Sequence, residues 1–310
     1  MQDLVVSVQP TFYCENHCPY CYLGNEIRNN ETIDLKTLES RLFELSGIAK
    51  ISQIDLFGGE LDFLPMSYLL ELVKLCKKFS KEITISTGAR TGLCLSVARD
   101  EKVKLGISLN EERPHNKETE EFILKYKDYY KNITILMVVL PSLIKKSPVE
   151  ICDYLQKFNL PVTFFRYISS VSNNPYNISS SKYIKFIKEL YSWYIQHNQS
   201  PYAENLYTFP IVYPTKESLG SPLISSNIFI LPNGDYSWVA YRGGLEYFKA
   251  SSDLSIWKKD SISEYKRYYK LCNKCPYFNN CLAEHLDLDT IENKGCLLPD
   301  LIQYLSGDII

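Results

Sequence analysis

Cys14, Cys18 and Cys21 lie close together in the stretch TFYCENHCPYCY. Soft thiolates at CxxxCxxC spacing on one loop suit an iron-sulfur cluster or zinc. If three of them hold a cubane cluster, one iron lacks a protein ligand and is open to chemistry. The zinc alternative would add His17 and close a tetrahedral site. A second group, Cys272, Cys275 and Cys281 in CNKCPYFNNC, is followed by Cys296. Four thiolates can close a metal site completely, as a cluster or as structural zinc. Cys76, Cys94 and Cys152 stand apart and read as buried thiols acting as small hydrophobes. His17, His115, His197 and His285 show no pairing that suggests a hydrolytic site.

These residues must be positioned by a regular framework. Short apolar or β-branched runs predict strands over Leu4 to Val8, Ile51 to Phe57, Glu82 to Thr87, Val103 to Ser108, Asn132 to Leu140 and Pro161 to Ile168. Amphipathic segments lie between them, including Leu35 to Leu45, Met66 to Phe79, Glu118 to Tyr130 and Pro148 to Phe158. Repeated βα order implies parallel pairing with right-handed crossovers, and six units fit an open, partial (β/α)6 barrel. Sites in such architectures form where loops converge at the carboxyl ends of the strands. The Cys14 loop follows the first strand at such an end. The GGE of LFGGELDF follows the second, with Gly58 and Gly59 allowing close backbone approach and Glu60 supplying an acceptor. Ser86, Thr87 and Gly88 follow the third strand, Ser108 and Asn110 end the fourth, and Arg166 sits on the sixth as a planar donor. After a helix over Ser181 to His197 the βα rhythm stops, and a hairpin is expected over Ile228 to Tyr241, turning at Pro232, Asn233 and Gly234. The expected organisation is therefore α/β, with a barrel over 1–200 and a small C-terminal domain over 201–310.

Composition narrows the function. The chain has 310 residues, is 45% hydrophobic and carries a formal net charge of -2, with a pI near 6.2. That balance offers no broad basic surface for nucleic acid. The N-terminal MQDLVVSVQP lacks the features of a signal peptide, and no apolar run is long enough to span a bilayer. A cytoplasmic protein with no membrane or nucleic-acid partner is expected. In a reducing compartment, closely spaced cysteines bind metal more often than they form disulfides.

The cysteine spacing after the first strand, with Tyr20 before the last cysteine and GGE after the second strand, resembles the radical S-adenosylmethionine (SAM) superfamily. That resemblance implies a 4Fe-4S cluster on Cys14, Cys18 and Cys21 whose open iron chelates the amino and carboxylate groups of SAM. It also implies that Tyr20 lies beside the adenine and that Gly58, Gly59 and Glu60 bind the amino group. The segments carrying Ser86, Thr87, Ser108 and Asn110 look similar to SAM-contacting family segments, although an aspartate often stands where Asn110 does. Cys272, Cys275, Cys281 and Cys296 resemble the outer auxiliary-cluster ligands of the C-terminal SPASM domain or its shortened relative, the twitch domain. The further cysteines of a full SPASM domain are missing from the expected hairpin, and His285 stands where another would be. One auxiliary 4Fe-4S cluster is therefore expected.

The activity so implied is one-electron cleavage of SAM to methionine and a 5′-deoxyadenosyl radical, which abstracts hydrogen from substrate carbon. The protein's part is to position the C–H bond and exclude water. The first expectation for the substrate is a ribosomally made peptide, matured by a crosslink, a thioether or an epimerisation. The alternative is dehydrogenation of a small molecule. A non-catalytic iron-sulfur electron carrier is disfavoured, because a carrier has no need of the GGE pocket. A reducing donor of flavodoxin or ferredoxin type is implied. No separate leader-binding domain is expected ahead of the first strand, so leader recognition would fall to a separate protein or to the second domain.

Overall fold

The computed structural model describes residues 3–24, 29–167, 174–197, 227–237, 250–275, 296 and 299. The chain divides into two compact units, Met1–Ile135 with Ser226–Ser261, and Leu136–Ser225 with Ile262–Ile310.

The first unit is built on strands β1 (Leu4–Val8), β2 (Ile51–Leu56), β3 (Glu82–Thr87) and β4 (Lys104–Ser108), paired in parallel in that order. Helices α1 (Leu35–Ser46), α2 (Met66–Lys77) and α3 (Leu93–Glu101) form the crossovers, and α4 (Asn116–Tyr126) follows β4. Strand β5 (Ile133–Val139) begins in this unit, where the Leu105 amide donates to Asn132 O at 2.9 Å. The expected strands are thus present within a residue or two of their bounds. Helix α3 escaped the sequence reading, because LCLSVARDE is only nine residues long and starts directly after Gly92, which is in a left-handed conformation.

Alternation along the strands makes two different faces. Val6, Val8, Ile54, Leu56, Ile83, Ile85, Leu105 and Ile107 are buried. On the helices, Leu38, Leu42 and Leu45 of α1 and Leu69, Leu72, Val73 and Cys76 of α2 form apolar stripes at helical spacing, and α2 packs against both α1 and α3. The opposite face of the sheet carries Gln53, Asp55, Thr84 and Ser86, all half-buried. Gln53 Nε2 donates to Asp55 Oδ1 at 2.7 Å, while burial pushes the Asp55 carboxyl up against the lowering effect of Gln53 and Thr84. Parallel strands buried on both faces would be apolar throughout, so this polar face marks the open side of the sheet.

On the other flank of β1 runs β7 (Asn227–Ile230), also parallel, followed by the antiparallel strands β8 (Tyr236–Ser237) and β9 (Ala250–Ser251). The described part of the expected hairpin therefore extends the first unit's sheet. Its turn is docked on α1. Gly234 has φ +82°, and a Cβ there would lie 2.6 Å from Thr37 Cγ2. Arg41 Nε donates to Gly234 O at 2.9 Å and its guanidinium covers the Tyr236 ring. Tyr236 is 1% exposed, and its hydroxyl donates to Glu44 Oε2 at 2.8 Å and lies 3.2 Å from Arg41 O. Tyr236→Phe removes these bonds without changing the ring's shape, so it should cost about 1–2 kcal/mol. A fall of a few degrees in Tm is expected by calorimetry, and an unchanged Tm would show that the hydroxyl does not dock the turn.

The second unit holds the rest of β5, β6 (Val162–Arg166), the short helix α5 (Pro141–Ile144), α6 (Pro148–Gln156), α7 (Ser180–Gln196) and most of α8 (Leu254–Cys272), which begins in the first unit. Helix α6 starts at a capping box: the Ser147 side chain accepts from the Glu150 amide, and Glu150 accepts in return from the Ser147 amide. Among the described residues no helix is long and apolar enough to cross a membrane.

Candidate active site

The loop after β1 carries the first three cysteines. Phe12, Leu23 and Leu231 form a small apolar cluster beneath it, with Cys14, Cys21 and Tyr22 packed against it. The Cys21 amide donates to Cys18 O at 3.0 Å, and the Asn16 amide donates to Cys14 Sγ at 3.4 Å. All three thiols are free and half-buried. Burial is the main cause that pushes each of them up, Cys21 to about 11, while the Arg113 guanidinium pulls all three down. Among the described residues no three His, Cys, Asp or Glu side chains form a group that could hold a metal ion. His17, which the zinc alternative needs, is exposed and has φ +45°. Thiols that would hold a cluster in place of a single ion need not converge on one point.

Two glycines set this loop against the loop after β2. The amides of Phe57, Gly59 and Glu60 donate to Val8 O, Thr11 O and Tyr13 O at 3.0, 2.9 and 2.8 Å. Gly58 has φ +144°, and a Cβ on it would lie 2.6 Å from Thr11 O. A Cβ on Gly59 would lie 2.1 Å from Tyr13 O, next to Cys14. Both obstacles are backbone atoms, so neither can swing aside. Gly59→Ala should push the cysteine loop off the sheet, costing several kcal/mol and the iron of that loop. Iron per chain after anaerobic reconstitution checks this, and a full iron complement would refute it.

Glu60 gathers the remaining loops. It is 1% exposed. Oε2 accepts from Asn16 Nδ2 at 2.9 Å, from the Gly88 amide at 2.8 Å and from Arg113 at 3.3 Å. Oε1 accepts from the Thr87 hydroxyl and from the Asp62 amide. Residues after β1, β2, β3 and β4 thus meet on one carboxylate. Burial pushes its carboxyl up, and Arg113, Thr87 and Gly88 pull it back. Asp62, 3% exposed, does similar work one layer out: its oxygens accept from the amides of Thr91, Gly92 and Cys94, fixing the start of α3. Thr119 of α4 donates to Gly88 O at 3.0 Å, bracing the same turn.

Tyr20 is half-buried, its hydroxyl pushed up by burial and then by Cys18. Thr87 is buried on Glu60, and Ser86 is half-buried on the open face. Ser108 is half-buried at the end of β4, and Asn110 is 3% exposed, its carbonyl accepting from the Arg113 amide at 3.0 Å. Arg166 ends β6 in the second unit, and its side chain lies outside the described residues.

Asn16, Asp62 and Arg113 escaped the sequence reading. Each sits one to five residues from a recognised position, but only the folded loops turn them inward. Two of them leave buried polar atoms without a partner among the described residues: Asn16 Oδ1, an acceptor, and Arg113 Nε, a donor. Buried polar atoms are rarely left so, and each needs an explanation.

The second cysteine group lies in the second unit. Cys272 closes α8 and is buried, and the Cys275 amide donates to Cys272 O at 2.9 Å, the turn of a CxxC knuckle. Burial first, then the nearby Cys296 and Cys275, push the Cys272 thiol up to about 11. These three cysteines are therefore neighbours. Cys281 and His285 lie outside the described residues.

No protein-family model matches the chain, and no match to a curated protein was found. Solved structures do match. The chain is similar to native anSMEcpe with bound AdoMet and Cp18Cys peptide, at 15% identity and a TM-score of 0.70, over 99% of this chain and 100% of that one. It is similar to Streptococcus suis SuiB bound to S-adenosylmethionine, at 16% identity and a TM-score of 0.62, over 94% of this chain and 75% of that one. For SuiB bound to precursor peptide SuiA the values are 17%, 0.59, 82% and 64%. At such identities the likeness establishes the fold, a mixed α/β architecture on a mostly parallel sheet.

Proposed function

We propose that the chain is a radical SAM enzyme that matures a ribosomally made peptide. The observation that carries this is the meeting of the Cys14, Cys18 and Cys21 loop, through Asn16 and Glu60, with the loops after β2, β3 and β4. The donor set fits a 4Fe-4S cluster: three free thiols on one half-buried loop, with the cationic Arg113 close enough to ease their ionisation. Asn16 Oδ1 and Arg113 Nε, unpartnered among the described residues, fit a small bound molecule with both a donor and an acceptor, as the amino acid end of SAM has. When bound, the cluster and SAM supply a carbon-centred radical that abstracts hydrogen from substrate.

The chain's own residues do the positioning. Cys14, Cys18 and Cys21 hold the cluster. Gly58, Gly59 and Glu60 shape the pocket beside it, Tyr20 shields it, and Ser86, Thr87, Ser108, Asn110 and Arg166 complete the cofactor-binding set. Cys272, Cys275, Cys281 and Cys296 hold one auxiliary 4Fe-4S cluster in a SPASM- or twitch-like region within 201–310, which serves as an electron relay or holds the region's shape. The AdoMet and Cp18Cys peptide bound to anSMEcpe, and the precursor peptide SuiA bound to SuiB, support a peptide substrate here. A flavodoxin- or ferredoxin-type donor in the cytoplasm supplies the electron, and a separate protein or the second domain recognises a leader.

Iron and zinc content after anaerobic reconstitution, with 5′-deoxyadenosine measured on adding SAM and dithionite, tests the reading. About eight irons per chain with deoxyadenosine is the expected result. About four irons with zinc would keep the enzyme and make the second site structural. A full iron complement that yields no deoxyadenosine, with or without candidate precursor peptides, would overturn the proposal.

A further inference from the structure

We infer that Asn16 accepts a hydrogen bond from the cationic amino group of the bound cosubstrate, a role that the GGE resemblance implies for Gly58, Gly59 and Glu60. This rests on the proposed SAM chemistry and assigns a residue that the motif does not contain.

Glu60 has little left to offer a ligand. An ionised carboxylate has about four lone-pair sites, and Asn16, Gly88, Arg113, Thr87 and Asp62 already donate to this one. Its chemical task is to hold loops together. Asn16 is different. It is 2% exposed, and its two amide atoms are not interchangeable: Glu60 Oε2 already accepts from the Gly88 amide and Arg113, so Nδ2 must face it, at 2.9 Å. That orientation leaves Oδ1 buried without a partner among the described residues. The Asn16 backbone amide, 3.4 Å from Cys14 Sγ, keeps the residue at the first cluster thiol.

Arg113 adds the complementary half. Its side chain is 10% exposed and reaches the same Glu60 Oε2, while its Nε is also buried without a partner among the described residues. One carboxylate oxygen is thus flanked by a free acceptor from the cysteine loop and a free donor from the β4 loop. An α-amino acid head group, with ammonium and carboxylate on one carbon, is the chemical complement. A ligand that offers only a donor or only an acceptor would leave one of the two atoms unpaired, which costs about 1–3 kcal/mol.

The test is equilibrium binding to the reconstituted full-length chain, using SAM and a desamino analogue that keeps the sulfonium and the carboxylate. Asn16→Ala should weaken SAM by roughly tenfold or more, the loss expected for a hydrogen bond to a charged group, and leave the analogue's affinity unchanged. Equal weakening of both would make Asn16 a structural residue only, and no change in either would remove the contact; each overturns the inference. If Asn16→Ala loses iron or secondary structure, Asn16→Asp decides. It keeps an oxygen for the amino group and can share a proton with Glu60, so it should retain the wild-type preference for SAM over the analogue. Loss of that preference in a folded, iron-loaded Asn16→Asp protein overturns the inference. A wild-type chain that binds neither compound would overturn the SAM reading itself, and this assignment with it.

Discussion

Cys18→Ala is expected to abolish 5′-deoxyadenosine release and to remove about four irons per chain, while the metal of the second site stays. Cys18 is the middle thiol of the three, and its neighbours are held by the backbone around it, with the Cys21 amide on Cys18 O and the Asn16 amide on Cys14 Sγ. The loop itself should persist, because its support comes from Phe12, Leu23 and Leu231 below and from the glycine contacts beside it. Activity should therefore fall to background with little change in secondary structure. Cys275→Ala is the matching control. It should lower the metal of the second site and loosen the residues around it, since metal binding there is also folding energy. The measurement is iron, zinc and deoxyadenosine on both variants; deoxyadenosine production unchanged in Cys18→Ala would defeat the site assignment.

The second large effect is on stability. Glu60→Ala deletes the acceptor that binds the loops after β1, β3 and β4. It leaves Arg113 as a buried cation without its partner and strands the Asn16, Thr87 and Gly88 donors. Breaking a buried ion pair by removing one member costs about 3–5 kcal/mol, and the orphaned donors add to that. A fall of roughly 10 °C in the Tm of the metal-free chain is expected. Arg113→Met in the same background removes the uncompensated charge and should recover part of the loss, because an apolar replacement of both partners is tolerated far better than removal of one. Calorimetry on the two variants checks both claims. A Glu60→Ala protein as stable as the parent would mean that the carboxylate acts on a ligand and not on the fold.

Both predictions concern residues whose importance was legible to different degrees. Cys14, Cys18 and Cys21 could be read at once, because spacing on one short loop guarantees proximity however the rest folds. Glu60 was legible as a residue at a strand end, yet its burial and its five donors could not be, since those donors are contributed by segments up to 53 residues away. The strands were legible to within a residue or two, because alternation and β-branching are local properties. The place of β7 was not: a four-residue NIFI run pairs in parallel with β1, more than two hundred residues earlier, and a local pattern does not name a strand's neighbour. Asn16 and Arg113 show the same limit at the site. Nothing in their sequence neighbourhood separates them from ordinary polar loop residues. Only the packed loops bring both against one carboxylate and leave Asn16 Oδ1 and Arg113 Nε unpaired among the described residues. The kind of chemistry proposed follows from the residue types and short spacings of the chain. Which side chains are buried, which acceptors are spent and which remain for a ligand was decided by the tertiary structure, because burial and hydrogen-bond satisfaction belong to the assembled loops.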